Sequence, residues 1–290
     1  MNRTGWEAPL LSVWKCGRFG FSLDRPLVMG VVNVTPDSFS DGGLYSEPGA
    51  AVRHGLQLYQ EGAHILDVGG ESSRPGARAV TPSEEISRVR PVLARLVQSQ
   101  VPVSADTRHA ECARACLDAG ASVLNDIGGF REESMIDIAV RYDAGLVVMH
   151  MLGEPGTMQL SPRYDDVVAE VRDWLLDRAL ALEDAGVARE RIAIDPGIGF
   201  GKTLTHNLKL MRALPEFASY GYPVLVGVSR KRFIGQITGV EAPRERVGGS
   251  VAAAAWAVEH GARIVRVHDV AETVQAVAVV SELVKGDESM

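Results

Sequence analysis

Eight short apolar runs, alternating with longer amphipathic stretches, are the feature that most narrows what this chain can fold into. The runs are Leu27–Asn33, His64–Val68, Val101–Asp106, Ser122–Asn125, Leu146–His150, Arg191–Asp195, Pro223–Val228 and Arg263–Val267. They are rich in Val, Ile and Leu and read as strands buried on both faces. Helical periodicity marks Thr81–Gln98, Glu132–Tyr142, Tyr164–Ala185, Arg244–His260 and Ala271–Lys285. Thr81-Pro82-Ser83-Glu84 reads as a capping box with proline at the first helical position. Gly62, Gly120, Gly145, Gly186 and Gly261 fall just past helical stretches, where a left-handed residue ends a helix. Strand–helix alternation repeated eight times predicts an α/β fold, a single (β/α)8 TIM barrel forming one domain over residues 1–290. Leu10–Pro26 alternates around Cys16-Gly17-Arg18, which predicts an N-terminal β-hairpin covering the bottom of the barrel.

Composition removes several function classes. A chain of 290 residues can bury a large core without disulfides or a structural metal. Cys16, Cys112 and Cys116 are sparse and odd in number, which suits a reducing cytoplasm. Cys112 and Cys116 share a helix face, and no second Cys or His pair completes a zinc pattern, so core packing is expected of them. The net charge of −7 argues against a nucleic-acid partner, which needs a concentrated basic face. No apolar run is long enough for a membrane span, and Met1–Pro9 lacks the regions of a secretory signal, so a cytoplasmic protein is expected.

The ends of the runs carry the functional argument. In order they are Asn33, Asp67, Asp106, Asn125-Asp126, His150, Asp195, Ser229 and Arg266/His268. In a barrel these ends converge on one face, the face that carries catalysis in this fold. Asp67 and Asp126 can be read as residues that simply open loops; the full set is too regular for that reading. Asp106, Asn125 and Asp195 offer acceptors plus one amide that donates and accepts, which suits a flat heterocycle with an amino-amide edge. Arg74, Lys231, Arg266 and His268 form a cationic set suited to an anionic leaving group. Arg244 and Arg246 read as solvated surface residues, and His54, His64, His109, His206 and His260 as packing or surface residues. Two Gly-rich loops, Asn33–Gly43 and Gly69–Gly76, are long enough to be functional lids, and Phe39 in the first has no core to join unless it closes over something. Gly201-Lys202-Thr203 invites a nucleotide-loop reading, but Pro196 stands where that pattern needs glycine.

These segments resemble the dihydropteroate synthase family along nearly the whole chain. The matching motifs are Asn33–Gly43, Gly69–Gly76, Ser104-Ala105-Asp106-Thr107, Leu124-Asn125-Asp126, Asp195–Lys202, Ser229-Arg230-Lys231 and Arg266-Val267-His268. The resemblance implies a transferase of folate biosynthesis. It would condense 6-hydroxymethyl-7,8-dihydropterin diphosphate with p-aminobenzoate to 7,8-dihydropteroate, releasing pyrophosphate by dissociative C–O cleavage. It also implies that Asp106, Asn125, Asp195 and Lys231 hold the pterin, and that Asn33, Arg266 and His268 hold the diphosphate, with Asn33 near Mg2+. Ser229, Phe200, Arg74, Pro75 and Phe39 would frame the arylamine subsite that sulfonamides target, beside Ser73, while Asp41 and Arg74 would help close the first loop. A homodimer through late barrel helices is a further implication. Ser73 departs from the more frequent threonine, and Leu152 and Gly156 replace longer polar residues. A pterin-binding methyltransferase barrel would share the Asp and Asn strand ends, but Ser229-Arg230-Lys231 and Ser72-Ser73-Arg74-Pro75 speak against it. A catalytically silent binding paralogue would be expected to lose the loop fingerprints or Lys231, and both are present.

Overall fold

A computed structural model describes residues 11–35, 47–72 and 79–284. Two strands, β1 (Val13–Cys16) and β2 (Phe19–Ser22), form an antiparallel hairpin. Gly17, at φ +59°, supplies the left-handed residue that its two-residue turn needs. Eight parallel strands follow: β3 (Leu27–Asn33), β4 (Ile65–Gly69), β5 (Val103–Asp106), β6 (Val123–Asp126), β7 (Gly145–Met149), β8 (Ile192–Asp195), β9 (Val224–Val226) and β10 (Ala262–Val267). They close into a barrel in chain order, with β10 pairing β3.

The helices around it are α1 (Glu47–Gln60), α2 (Pro82–Gln98), α3 (Ala110–Asp118), α4 (Glu133–Arg141) and α5 (Val167–Asp184). They continue with α6 (Leu204–Arg212), the short α7 (Leu214–Ala218), α8 (Arg232–Thr238), α9 (Val247–Glu259) and α10 (Val270–Val284). Thr81 caps α2 by accepting from the Glu84 amide, with Pro82 in the first turn, as its sequence requires. Among the described residues no helix is long and apolar enough to cross a membrane.

The period of two within each strand sorts side chains into two cores. Val28, Leu66, Val103, Leu124, Val148, Ile194, Val226 and Val265 face outward and pack under the helices. Met29, Ile65, Val123, Val147, Ala193, Leu225 and Ile264 face inward and meet Trp14, Cys16 and Leu23 of the hairpin region. The hairpin therefore plugs the lower end, with the Trp14 indole donating to the Arg191 carbonyl at 2.9 Å. Cys112 and Cys116 lie buried on one face of α3, their sulfurs 3.9 Å apart, as packing residues.

Gly145 corrects the sequence reading. Gly62, Gly120, Gly186 and Gly261 are left-handed, but Gly145 is not; it opens β7. A Cβ there would stand 2.3 Å from the Cys16 sulfur, so its glycine serves close approach of the plug.

Candidate active site

Two residues above the apolar layer, the same inward rows turn polar. Asp67 stands above Ile65, Asn125 above Val123, Asp195 above Ala193 and Arg266 above Ile264. Arg266 donates from Nε to Asp67 at 2.5 Å and from Nη2 to Asp106 at 2.6 Å. The Asn125 amide donates to the same Asp67 oxygen at 3.2 Å. Strand register lines up Asn33, Gly69, Asp106 and Asn125 across β3–β6 at the mouth. A Cβ at Gly69 would lie 3.3 Å from the Asp106 carboxylate.

A second cluster rises from β8 and β9. The Asp195 carboxylate accepts from the Gly197 amide at 2.7 Å. Lys231 donates to the Ile198 carbonyl and sits 4.4 Å over the Phe200 ring, a cation–π contact. The clusters adjoin at Gly227, where a Cβ would lie 3.8 Å from Arg266 Cβ and 3.9 Å from Lys231 Nζ. Side chains separated by most of the chain thus meet in one cluster.

A pair of contacts joins the segments after β9 and β10. Ser229 Oγ accepts from the His268 amide at 3.2 Å and lies 3.1 Å from His268 Nδ1. Arg230, left-handed at φ +60°, turns outward to a two-pronged ion pair with Asp269. Its amide donates to Ser250 Oγ at 2.8 Å and its carbonyl accepts from Arg246 at 3.0 Å. Those bonds hold a conformation that is uncommon for a residue with a side chain, and leave Ser229 and Lys231 on the mouth side.

Burial sets the electrostatics. The Asp106 carboxyl is pushed up to about 7 by desolvation, which Arg266 only partly offsets and Asp67 reinforces. Asp195 is also raised by burial, against the pull of Lys231. Lys231 is pushed down to about 8 by burial, with Asp195 opposing. Burial works against the Arg266 charge too, but Asp67 and Asp106 outweigh it and hold the guanidinium above its ordinary range. Asp106 and Lys231 are thus displaced toward neutrality from opposite sides, the usual condition of groups that work in a cleft.

Of the residues singled out in the sequence, Asn33, Asp106, Asn125, Asp195, Phe200, Ser229, Lys231, Arg266 and His268 belong to the mouth segments described above. Phe39, Asp41, Ser73, Arg74 and Pro75 lie outside the described residues. Asp67 is a correction: far from merely opening a loop, it is fully buried and anchors both Arg266 and Asn125. The signal that could have found it is its position two residues after Ile65, parallel to Arg266 after Ile264. Asp126 does shape a loop, accepting from the Gly128 and Phe130 amides at 2.6 and 2.7 Å. His150 turns from the mouth and packs edge-on against Trp174, ring centres 5.0 Å apart. Arg246 is a second correction, since its guanidinium is spent on the carbonyls of Arg230, Val240 and Glu241.

Residues 29–268 match the model of the family described as "Pterin binding enzyme". A dihydropteroate synthase of Neisseria meningitidis serogroup C is 51% identical over 268 residues, spanning 91% of this chain and 95% of its own. The chain belongs to the dihydropteroate synthase family of pterin-binding enzymes. The structure of the Xanthomonas albilineans family member with 4-aminobenzoic acid superposes with a TM-score of 0.89 at 49% identity, covering 94% of this chain and 98% of that one. The same enzyme in complex with 7,8-dihydropteroate gives 0.86 at 47% identity, covering 93% and 98%. Those structures share the eight-stranded parallel barrel.

Proposed function

We propose that this transferase condenses 6-hydroxymethyl-7,8-dihydropterin diphosphate with p-aminobenzoate, giving 7,8-dihydropteroate for folate synthesis and releasing pyrophosphate. The observation that carries the reading is the meeting of Arg266 and Lys231 at Gly227, with Asp67 and Asp106 on one flank and Asp195 on the other. Relatives named for this activity and a family structure holding 7,8-dihydropteroate support it.

The chemistry follows from the charges. Asp106, Asn125 and Asp195 accept from and donate to the amino-amide edge of the pterin, and Lys231 supplies a further donor to the ring. Arg266 has five N–H donors, of which Asp67 and Asp106 use two, so others are left for the diphosphate. His268, set beside Ser229 by its Nδ1 contact, adds a further polar group on the side of the same anion. The C–O bond breaks first and its electron pair leaves on the diphosphate. The positive charge spreads over the pterin, where the buried carboxylates stabilise it. The arylamine nitrogen then bonds to the methylene carbon and gives up a proton. Ser229 and Phe200 frame the arylamine.

Mg2+ fits this arrangement through its ligand chemistry. It accepts few protein oxygens and completes its shell with water and phosphate oxygens. Asn33, half-buried at the end of β3, offers a suitable amide oxygen. Bound there with the diphosphate, the ion would supply charge to the leaving group.

Two coarser proposals accompany this one. Trp256, Val279, Leu283 and Val284 are exposed on the neighbouring helices α9 and α10, which supports a two-fold homodimer through that face. The three cysteines are free and buried, in keeping with a cytoplasmic enzyme. The deciding assay measures pyrophosphate release. It should require both the pterin diphosphate and p-aminobenzoate; release that ignores the arylamine, or none with both present, overturns the reading.

A further inference from the structure

Lys202 is almost fully buried and belongs to none of the substrate contacts above. Its Nζ lies 3.0 Å from His150 Nδ1 and donates to the Phe200 carbonyl at 3.0 Å and to the His150 carbonyl at 3.3 Å. Three acceptors meet the three N–H groups of one ammonium. Burial pushes the lysine down to about 7 and, with the neighbouring lysine charge, pushes His150 down to about 3. An ammonium can only donate, so His150 Nδ1 takes the acceptor role in this contact.

These contacts gather two loops. The segment after β8 has left-handed glycines at Gly197, Gly199 and Gly201, so no regular secondary structure fixes its path. It runs against the segment after β7: a Cβ at Gly197 would stand 1.9 Å from the His150 carbonyl oxygen. Tyr164 adds a bond to the Gly201 carbonyl at 3.0 Å. On its other side the loop gives Lys231 the Ile198 carbonyl and the Phe200 ring. A methionine of similar length would fill the Lys202 space without the desolvation penalty. It could not draw the carbonyls of residues 150 and 200 to one point.

The geometry points to Lys202 as a positioning residue whose ammonium, held by His150, sets Phe200 beneath Lys231 and thereby shapes the arylamine subsite. Asp195 is pinned separately by the Gly197 amide, at the start of the loop, whereas Lys202 bonds the Phe200 carbonyl directly. The arylamine side should therefore suffer first. The inference rests on the proposed reading that Phe200 frames the arylamine.

The test compares Lys202→Met, His150→Asn and His150→Leu. Asparagine keeps an acceptor near the Nδ1 position; leucine keeps none. Calorimetry with 6-hydroxymethylpterin reads the pterin pocket, and steady-state kinetics separates the p-aminobenzoate KM from kcat. Lys202→Met should raise the arylamine KM about tenfold or more while the pterin Kd stays within about threefold. His150→Leu should shift the arylamine KM the same way, and His150→Asn should restore most of it. Equal losses on both substrates, an unchanged arylamine KM, or His150→Asn as damaging as His150→Leu would overturn the inference. If Lys202→Met does not fold, the His150 pair decides. A wild-type enzyme lacking arylamine-dependent pyrophosphate release sinks the underlying reading instead; normal release with an unaltered Lys202→Met variant sinks only the positioning role.

Discussion

The floor and the mouth of this barrel are built from the same strands, two residues apart, yet they obey opposite rules. At the floor Ile65, Val123, Ala193 and Ile264 meet Trp14 and Cys16 of the hairpin in a dry apolar layer. At the mouth Asp67, Asn125, Asp195 and Arg266 occupy the next inward positions. Removal of apolar area from water stabilises the floor, at about 25 cal/mol per Å². Burial of charge opposes the mouth and displaces Asp106, Asp195 and Lys231 from their ordinary ranges. The contrast teaches that stability is concentrated below and reactivity above, on one continuous scaffold.

The sharpest way to break that contrast is to strike the floor. Trp14→Ala should cost about 3–5 kcal/mol, because a fully buried indole leaves a cavity and orphans its bond to Arg191. Denaturant unfolding checks the loss, and the folded fraction should keep its KM values; a changed KM would mean the layers are not separable. The converse strike is Asp195→Asn. It should weaken pterin binding about a hundredfold by calorimetry, or roughly 2.7 kcal/mol, with the melting temperature unchanged or raised because burial already disfavours that charge. A shift in affinity below about tenfold would remove Asp195 from the pterin site.

Arg266→Ala is intermediate. It should raise the KM for the pterin diphosphate about tenfold, more than that for p-aminobenzoate, and an equal effect on both would refute an anion role. It also strips the charged partner from buried Asp67, leaving only the Asn125 amide, so adding Asp67→Asn should recover stability without recovering the KM.

The smallest effect is the pH response. On the proposed role of ionised Asp106 as acceptor of the pterin donors, binding of 6-hydroxymethylpterin, which carries no phosphate to titrate, should fall as pH drops through about 7. Between pH 7 and pH 6 the ionised fraction falls about fivefold. Binding should fall again as pH rises through about 8, where Lys231 loses its proton. In Asp106→Asn the acid limb should vanish; a limb that persists would assign it to another group.

The eight strands were legible because barrel strands read as continuous apolar runs, and most of the site because each run ends in a polar residue. Asp67 escaped because a single Asp after an apolar run looks like the start of any loop; its partner Arg266 is 199 residues away. Lys202 and His150 escaped for the same reason, being 52 apart and facing each other between two loops. Gly145 matched a helix-end signal, yet the nearby Cys16 sulfur is what requires it.

By itself the chain determined where strands and helices form and which residues stand at strand ends, since periodicity and turn chemistry act over a few neighbours. Only the closed barrel decided which charges pair, which are desolvated and which glycines make room. Those properties depend on distances between segments remote in sequence and on the loss of water between them, and neither exists until the strands have met.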